Sequence, residues 1–153
     1  VSWSRRCVLE TLVDLMPTDE IILGFSNRWY LQGIINSVTI EFEPYFVIRL
    51  VTAPYFLATK LDAFFGRGKG DYLVSHDMED IINFINGRVE ILEDIQNSEQ
   101  DLRAFIIKCL QGFLEDELFL EALPGHLLPD QASQGRRSII LERIKKIVGL
   151  GRN

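Results

Sequence analysis

Residues 53–65 form the stretch that decides the fold class of this chain, APYFLATKLDAFF. Its apolar residues recur at the spacing of one helix face, which predicts an amphipathic helix. They are Leu57, Leu61, Phe64 and Phe65. A proline in the second position suits the first turn of a helix, where no backbone donor is needed. This predicted helix separates a strand-rich region from a helical one.

The region before this helix, residues 1–52, is predicted to be rich in strands. Residues 3–16 favour a strand, a turn and a second strand, because apolar residues run up to a proline that stops them. A short helix is expected over residues 27–35. Residues 38–42 alternate between apolar and polar side chains, and residues 46–51 are also strand-like, which predicts an antiparallel pair.

The region from residue 53 to residue 153 is predicted to be helical, with a glycine-rich break at residues 66–70. Ser75 is expected to cap a helix that runs to Asn86, with a loop over residues 124–134. The further predicted helices cover residues 89–95, 98–114, 117–123 and 138–148. The sequence therefore predicts a single α+β domain over residues 1–153, with a strand-rich N-terminal third and a helical C-terminal part.

The composition is that of one globular domain. The chain has 153 residues, of which 47% are hydrophobic and 25% are charged, a balance typical of folded proteins. No apolar run approaches the roughly 20 residues that a membrane span needs, so no membrane partner is expected. Cys7 and Cys109 lie far apart, which argues against a zinc site and fits a reducing, cytoplasmic compartment.

The net charge of −6 excludes a protein that binds nucleic acid through bulk electrostatics. Basic residues concentrate at 136–137, at 143–146 and in the glycine-rich segment 66–70, GRGKG. Such runs are most often solvated faces. In the glycine-rich segment, however, Arg67 and Lys69 also have the flexibility and charge of a phosphate clamp. A plain flexible connector is the alternative.

Lys60 is the most informative single residue. Its neighbours three and four positions away in the predicted helix are all apolar, so its ammonium lies at the edge of a buried stripe. A buried charge needs either a carboxylate or a ligand phosphate; a lysine with a solvated head is the alternative. Asp77 and Asp80 stand one turn apart on the next predicted helix, and we expect one of them within salt-bridge distance of Lys60. The alternative interpretation of the two aspartates is an acidic first helical turn, with Asp77 as the N-cap.

Asp14 lies among apolar residues in the middle of a predicted strand. A carboxylate in a buried strand is costly unless it binds a metal, accepts a proton or pairs with a cation. We therefore expect Asp14 to face the same cleft as Lys60. An edge-strand aspartate beside the turn at Pro17 is the alternative.

Three stretches resemble nucleotidyltransferase-fold proteins related to AbiEii-type toxins of abortive-infection and toxin–antitoxin systems. They are VDLMPTD at 13–19, LGFSNRWY at 23–30 and, most clearly, APYFLATKLDAFFGRGKGD at 53–71, which continues into SHDMEDI at 75–81. The family shows a lysine, an alanine three residues later, an arginine and a downstream D-x-x-D on the next helix. The residues that match this order are Lys60, Ala63, Arg67, Asp77 and Asp80.

The resemblance implies transfer of a nucleoside monophosphate from an NTP to RNA, such as tRNA, or to a protein. It also implies Mg²⁺ held by carboxylates on a small sheet. Asp14 would be the third, catalytic carboxylate, acting as a metal ligand or as the activator of the attacking hydroxyl. The residues expected to contact phosphates are Lys60, Arg67 and Lys69, with Asp77 and Asp80 supporting them.

The chain departs from the family pattern before Asp14. Only thirteen residues precede it, and they hold neither the glycine turn that binds the triphosphate nor the D-x-D pair. We therefore expect a fragment or a degenerate relative that does not transfer nucleotides alone. Its uncovered sheet edge would favour self-association or a partner. Two other functions stay open: a non-catalytic interaction module of a toxin–antitoxin or defence-type system, with an antitoxin as partner, and a plain structural helical domain.

Overall fold

The computed structural model describes residues 27–43, 45–66 and 70–152. The elements, in chain order, are helix α1 (Tyr30–Ile35), strands β1 (Val38–Glu43) and β2 (Phe46–Leu50), and helices α2 (Ala53–Phe65), α3 (His76–Gly87), α4 (Ile91–Gln96), α5 (Gln100–Glu115), α6 (Glu117–Ala122) and α7 (Gln131–Gly149). Short 3₁₀ turns cover Leu123–His126 and Leu150–Arg152. The strands predicted within residues 3–16 lie outside the described residues.

Strands β1 and β2 form an antiparallel hairpin, as the sequence predicted. Val38 pairs with Leu50 and Ile40 pairs with Ile48, and the register shifts towards the turn. Tyr45 in the turn has a φ of 79°, a conformation that strains any side chain with a Cβ atom. The hairpin is the one sheet in the described part of the chain. The protein is thus mostly helical and α+β only in a coarse sense, without a nucleotidyltransferase-sized sheet in that part.

The hydrophobic core lies between α2, α3, α5 and α7. Helix α2 packs against α3, α4 and α5, and α7 packs against α5, α3 and α4. Leu57, Leu61 and Phe64 of α2 are fully buried, as their spacing predicted. Phe65 differs, because it is 48% exposed at the last residue of α2. No helix in the described residues combines the length and the apolar composition that a membrane crossing requires.

Aromatic rings fill the end of the core where α2, α5 and α6 meet. The ring of Phe113 stacks on Phe119 with 4.9 Å between centroids and meets Phe64 edge-on at 5.6 Å. Tyr72 joins this cluster, and its hydroxyl donates a hydrogen bond of 2.9 Å to Asp116 Oδ2. The chain between α2 and α3 is therefore held onto α5 and α6.

Helix α7 begins earlier than the sequence predicted. We expected a loop to residue 134 and a helix from residue 138, but α7 starts at Gln131. The Asp130 side chain caps it by accepting a hydrogen bond of 2.9 Å from Ser133 N. Gln134 Nε2 donates to carbonyl oxygens of the preceding loop, among them that of Leu128 at 3.0 Å. Because polar contacts rather than apolar burial fix the first turns, apolar periodicity did not reveal them.

Candidate functional site

Lys60 lies between two carboxylates. Its Nζ atom is 2.5 Å from Asp80 Oδ2 and 3.3 Å from Asp77 Oδ1. The prediction that Lys60 lies within salt-bridge distance of Asp77 or Asp80 is therefore confirmed. The Lys60 side chain is 25% exposed, so its head keeps some contact with solvent while it pairs with both carboxylates. We refer to Lys60, Asp77 and Asp80 as the charge cluster.

Two neighbouring helices assemble the charge cluster. Helix α2 carries Lys60, and α3 carries both aspartates one turn apart on one face. Ser75 caps α3, since its Oγ accepts a hydrogen bond from Met78 N at 3.4 Å. The interpretation of Asp77 as the N-cap is therefore wrong, and its carboxylate accepts a hydrogen bond from Lys60 Nζ instead.

Burial and charge attraction act in opposite directions on Lys60. Burial lowers its pKa, but the hydrogen bonds and negative charges of Asp80 and Asp77 together raise the pKa above the ordinary value for lysine. Asp77 is only 7% exposed, whereas the Asp80 side chain is 45% exposed. The ammonium has three donors, and the contacts to Asp77 and Asp80 use two of them.

The other predicted site residues, Asp14, Arg67 and Lys69, lie outside the described residues. Whether Asp14 faces the same cleft as Lys60 therefore stays a prediction, as does the phosphate clamp of Arg67 and Lys69. The phosphate contact of Lys60 also stays a prediction.

A second polar network, around Tyr55, was not predicted. The Tyr55 hydroxyl donates a hydrogen bond of 3.1 Å to Glu99 Oε2 and accepts one of 3.0 Å from Asn36 Nδ2. The Tyr55 ring packs in the hydrophobic core, whereas its hydroxyl forms these polar contacts. The network joins the end of α1, α2 and the start of α5. Its members are 19 and 44 residues apart in the sequence, so no local pattern could have revealed it.

Two arginines of the predicted basic patches have a structural role. Arg143 Nη1 donates hydrogen bonds of 2.6 and 2.7 Å to the carbonyl oxygens of Ile85 and Asn86. Arg136 Nη2 donates one of 2.9 Å to the same carbonyl of Asn86. These carbonyls lie in the last turn of α3, where no further turn supplies backbone donors. The interpretation as a solvated face is therefore wrong for both arginines.

Within the described ranges, no three histidine, cysteine, aspartate or glutamate residues are grouped so that they could hold a metal ion. Burial raises the pKa of the Cys109 thiol to about 11. This thiol is therefore protonated near neutral pH and is a poor nucleophile.

No protein-family model matches the chain, and neither a curated protein nor a solved structure is similar to it at a significant level.

Proposed function

We propose that this chain is part of a nucleotidyltransferase-like protein, which transfers a nucleoside monophosphate from an NTP to RNA or to a protein. The charge cluster is the observation that supports the proposal. The resemblance rests on Lys60, which precedes the glycine-rich segment 66–70, and on the D-x-x-D pair, Asp77 and Asp80, which follows it. Those three side chains converge on one point.

The proposed role of the charge cluster is to hold Lys60 charged and in place until phosphates bind. Asp77 is buried beside the ammonium, whereas Asp80 is half exposed, so a phosphate would approach Nζ from the side of Asp80. Arg67 and Lys69 would add phosphate contacts from the adjoining segment. Charge-assisted hydrogen bonds from lysine and arginine are the usual means of phosphate recognition in proteins.

Magnesium enters this proposal through Asp14. The donor groups of the described residues do not fit a magnesium site, since no three of them are grouped for one ion. Asp14 is the proposed metal ligand and catalytic carboxylate, and a two-metal site would need further carboxylates beside it.

The first test is an assay of the purified chain with labelled NTPs, Mg²⁺, and tRNA or cell extract. We expect no label transfer above background, because the chain has no glycine turn or D-x-D pair before Asp14 to position the triphosphate and metal ions. Label transfer that Asp14→Ala abolishes would show that the chain is catalytically complete.

The second test starts from the genomic DNA directly upstream of the first codon. An in-frame glycine-rich turn followed by D-x-D would support the proposal, and the extended chain should then label RNA or protein. Lys60→Met should lower that activity. The control Lys146→Met, at an exposed lysine paired with Glu142, should not. An in-frame stop codon, or an extended chain that transfers no label from any NTP, would contradict the proposal.

A non-catalytic interaction module is the second candidate function, and a different observation favours it. Strand β2 is exposed along its whole length, and Leu31 and Ile35 of α1 are 57% and 59% exposed. Contiguous exposed apolar surface is typical of interaction sites. An antitoxin-like protein is the proposed partner for this candidate.

A further inference from the structure

One face of the hairpin is apolar at two of its paired positions. In an antiparallel pair, residues directly opposite each other share a face. Val38 opposite Leu50 and Ile40 opposite Ile48 therefore present one apolar face. Val38, Ile48 and Leu50 are 47%, 36% and 47% exposed. A two-stranded sheet is marginally stable by itself, so covering this face would stabilise it.

A cavity of about 670 Å³ adjoins this face. Val38 and Leu50 line it from the hairpin, and Phe56 and Phe84 line it from α2 and α3. These two rings contact each other, with 4.7 Å between their centroids. Glu93 and Glu99 lie at the same cavity. We refer to the six residues Val38, Leu50, Phe56, Phe84, Glu93 and Glu99 as the hairpin groove.

The hairpin groove has a negative charge next to its apolar lining. Arg88 also borders the cavity, but it forms an ion pair with Asp94, so these two charges compensate each other. Glu93 and Glu99 form no ion pair within the described residues, and among these residues the Glu99 carboxylate accepts a hydrogen bond from the neutral Tyr55 hydroxyl. An apolar lining beside two uncompensated carboxylates favours an apolar chain that carries lysine or arginine, and disfavours nucleic acid.

We propose that the hairpin groove docks a basic, apolar-rich segment of another protein. The apolar side chains of the segment would cover the hairpin face, and its cations would lie beside Glu93 and Glu99. A second copy of this chain fits less well, because each copy carries a net charge of −6 and like charges oppose association. This proposal specifies the partner of the second candidate function, the interaction module, and does not require nucleotide chemistry. Its failure would therefore leave the transfer assays unaffected.

The probe for this proposal is a short synthetic peptide of alternating valine and lysine with a fluorescent label, titrated with the full chain. Fluorescence anisotropy should rise to saturation, and a matched peptide of alternating valine and glutamate should not bind. The double change Glu93→Gln with Glu99→Gln should weaken binding by about tenfold, since rim charges set complementarity. Glutamine can still accept the Tyr55 hydrogen bond, so the fold is kept.

The matched charge control is Glu117→Gln with Glu121→Gln, two exposed positions on α6 that change the net charge equally. Equal weakening by both double variants would mean unspecific attraction to an acidic protein and would overturn the proposal. Ile48→Lys should abolish binding. Val47→Lys, at a 63% exposed position on the other face of β2, should leave it unchanged. Circular dichroism of both lysine variants checks that they fold.

Other occupants of the groove give different results. If the chain is a dimer in light scattering that Ile48→Lys dissociates, a second copy covers the face and the proposal is wrong. If Ile48→Cys in a monomeric chain resists maleimide labelling, with the site mapped by mass spectrometry, the chain covers its own hairpin and the proposal is also wrong. Rapid labelling of a monomer, together with peptide binding, supports it.

Discussion

At the scale of single residues, the two carboxylates of the charge cluster differ in burial. Lys60→Met removes the ammonium from beside the buried Asp77 and should lower the unfolding free energy by about 2 kcal/mol. Asp80→Asn should cost less than about 1 kcal/mol, because solvent screens this half-exposed carboxylate. Urea denaturation measures both, with Lys146→Met as an exposed control. Equal losses from Lys60→Met and Asp80→Asn would contradict a role for burial.

The raised pKa of Lys60 also sets a pH limit on this stabilisation. A raised folded-state pKa gives stability that is complete below the ordinary lysine value of 10.5 and is lost as pH rises through the folded value. The difference between the wild type and Lys60→Met should therefore be constant up to about pH 10 and shrink above it.

Tyr72 supplies a second alkaline transition. Burial, followed by the hydrogen bond and charge of Asp116, raises its pKa from 10.0 to about 12. Because the folded state keeps the proton longer, this contribution is complete below pH 10 and lost between pH 10 and about 12. Tyr72→Phe should lower the free energy of unfolding by about 1 kcal/mol at neutral pH. Between pH 10 and about 12, the free energy of unfolding of this variant should fall less steeply than that of the wild type. The control is Tyr45→Phe, at a 99% exposed position, whose free energy of unfolding should fall with pH as that of the wild type does.

At the scale of secondary structure, Arg143 links two helices that are distant in sequence. Arg143→Ala removes the charged donor from the last turn of α3 and should cost about 2 kcal/mol. Arg143→Lys should lie in between, since a single ammonium reproduces the guanidinium fork poorly. The control Arg137→Ala should cost less than about 0.5 kcal/mol, because Arg137 is exposed and donates to a single carbonyl among the described residues, that of Leu120. Equal midpoints in guanidinium denaturation for Arg143→Ala and Arg137→Ala would refute this role.

The elements that the sequence predicted well are those whose pattern is local. Apolar spacing placed Leu57 and Leu61 in the core, alternation found β1, and Ser75 marked the start of α3. Lys60 could be assigned carboxylate partners because a lysine among apolar neighbours needs a counter-charge. The start of α7 and the role of Arg143 could not be predicted, since both depend on carbonyl groups brought close only by the tertiary fold.

At the scale of the whole molecule, stability is unevenly distributed. Leu102, Ile106 and Leu110 of α5 are at most 1% exposed, whereas every residue of β2 is exposed. Hydrogen exchange should therefore be fast for the hairpin amides and slow for those of α5, because exposed, thinly packed segments open at low free energy. Hairpin amides as protected as those of α5 in the isolated chain would show that the hairpin opens only with the core.

The position of α7 affects how the protein is made. This helix contributes Ile140, Ile144 and Ile147 to the core and two arginines to the end of α3, yet the ribosome releases it after every helix that it covers. A nascent chain that ends before residue 131 exposes apolar faces of α3 and α5 and leaves the terminal carbonyls of α3 without these donors. Such a chain is a natural substrate for chaperones and proteases. Completion of α7 is therefore the step of synthesis at which the helical core can close.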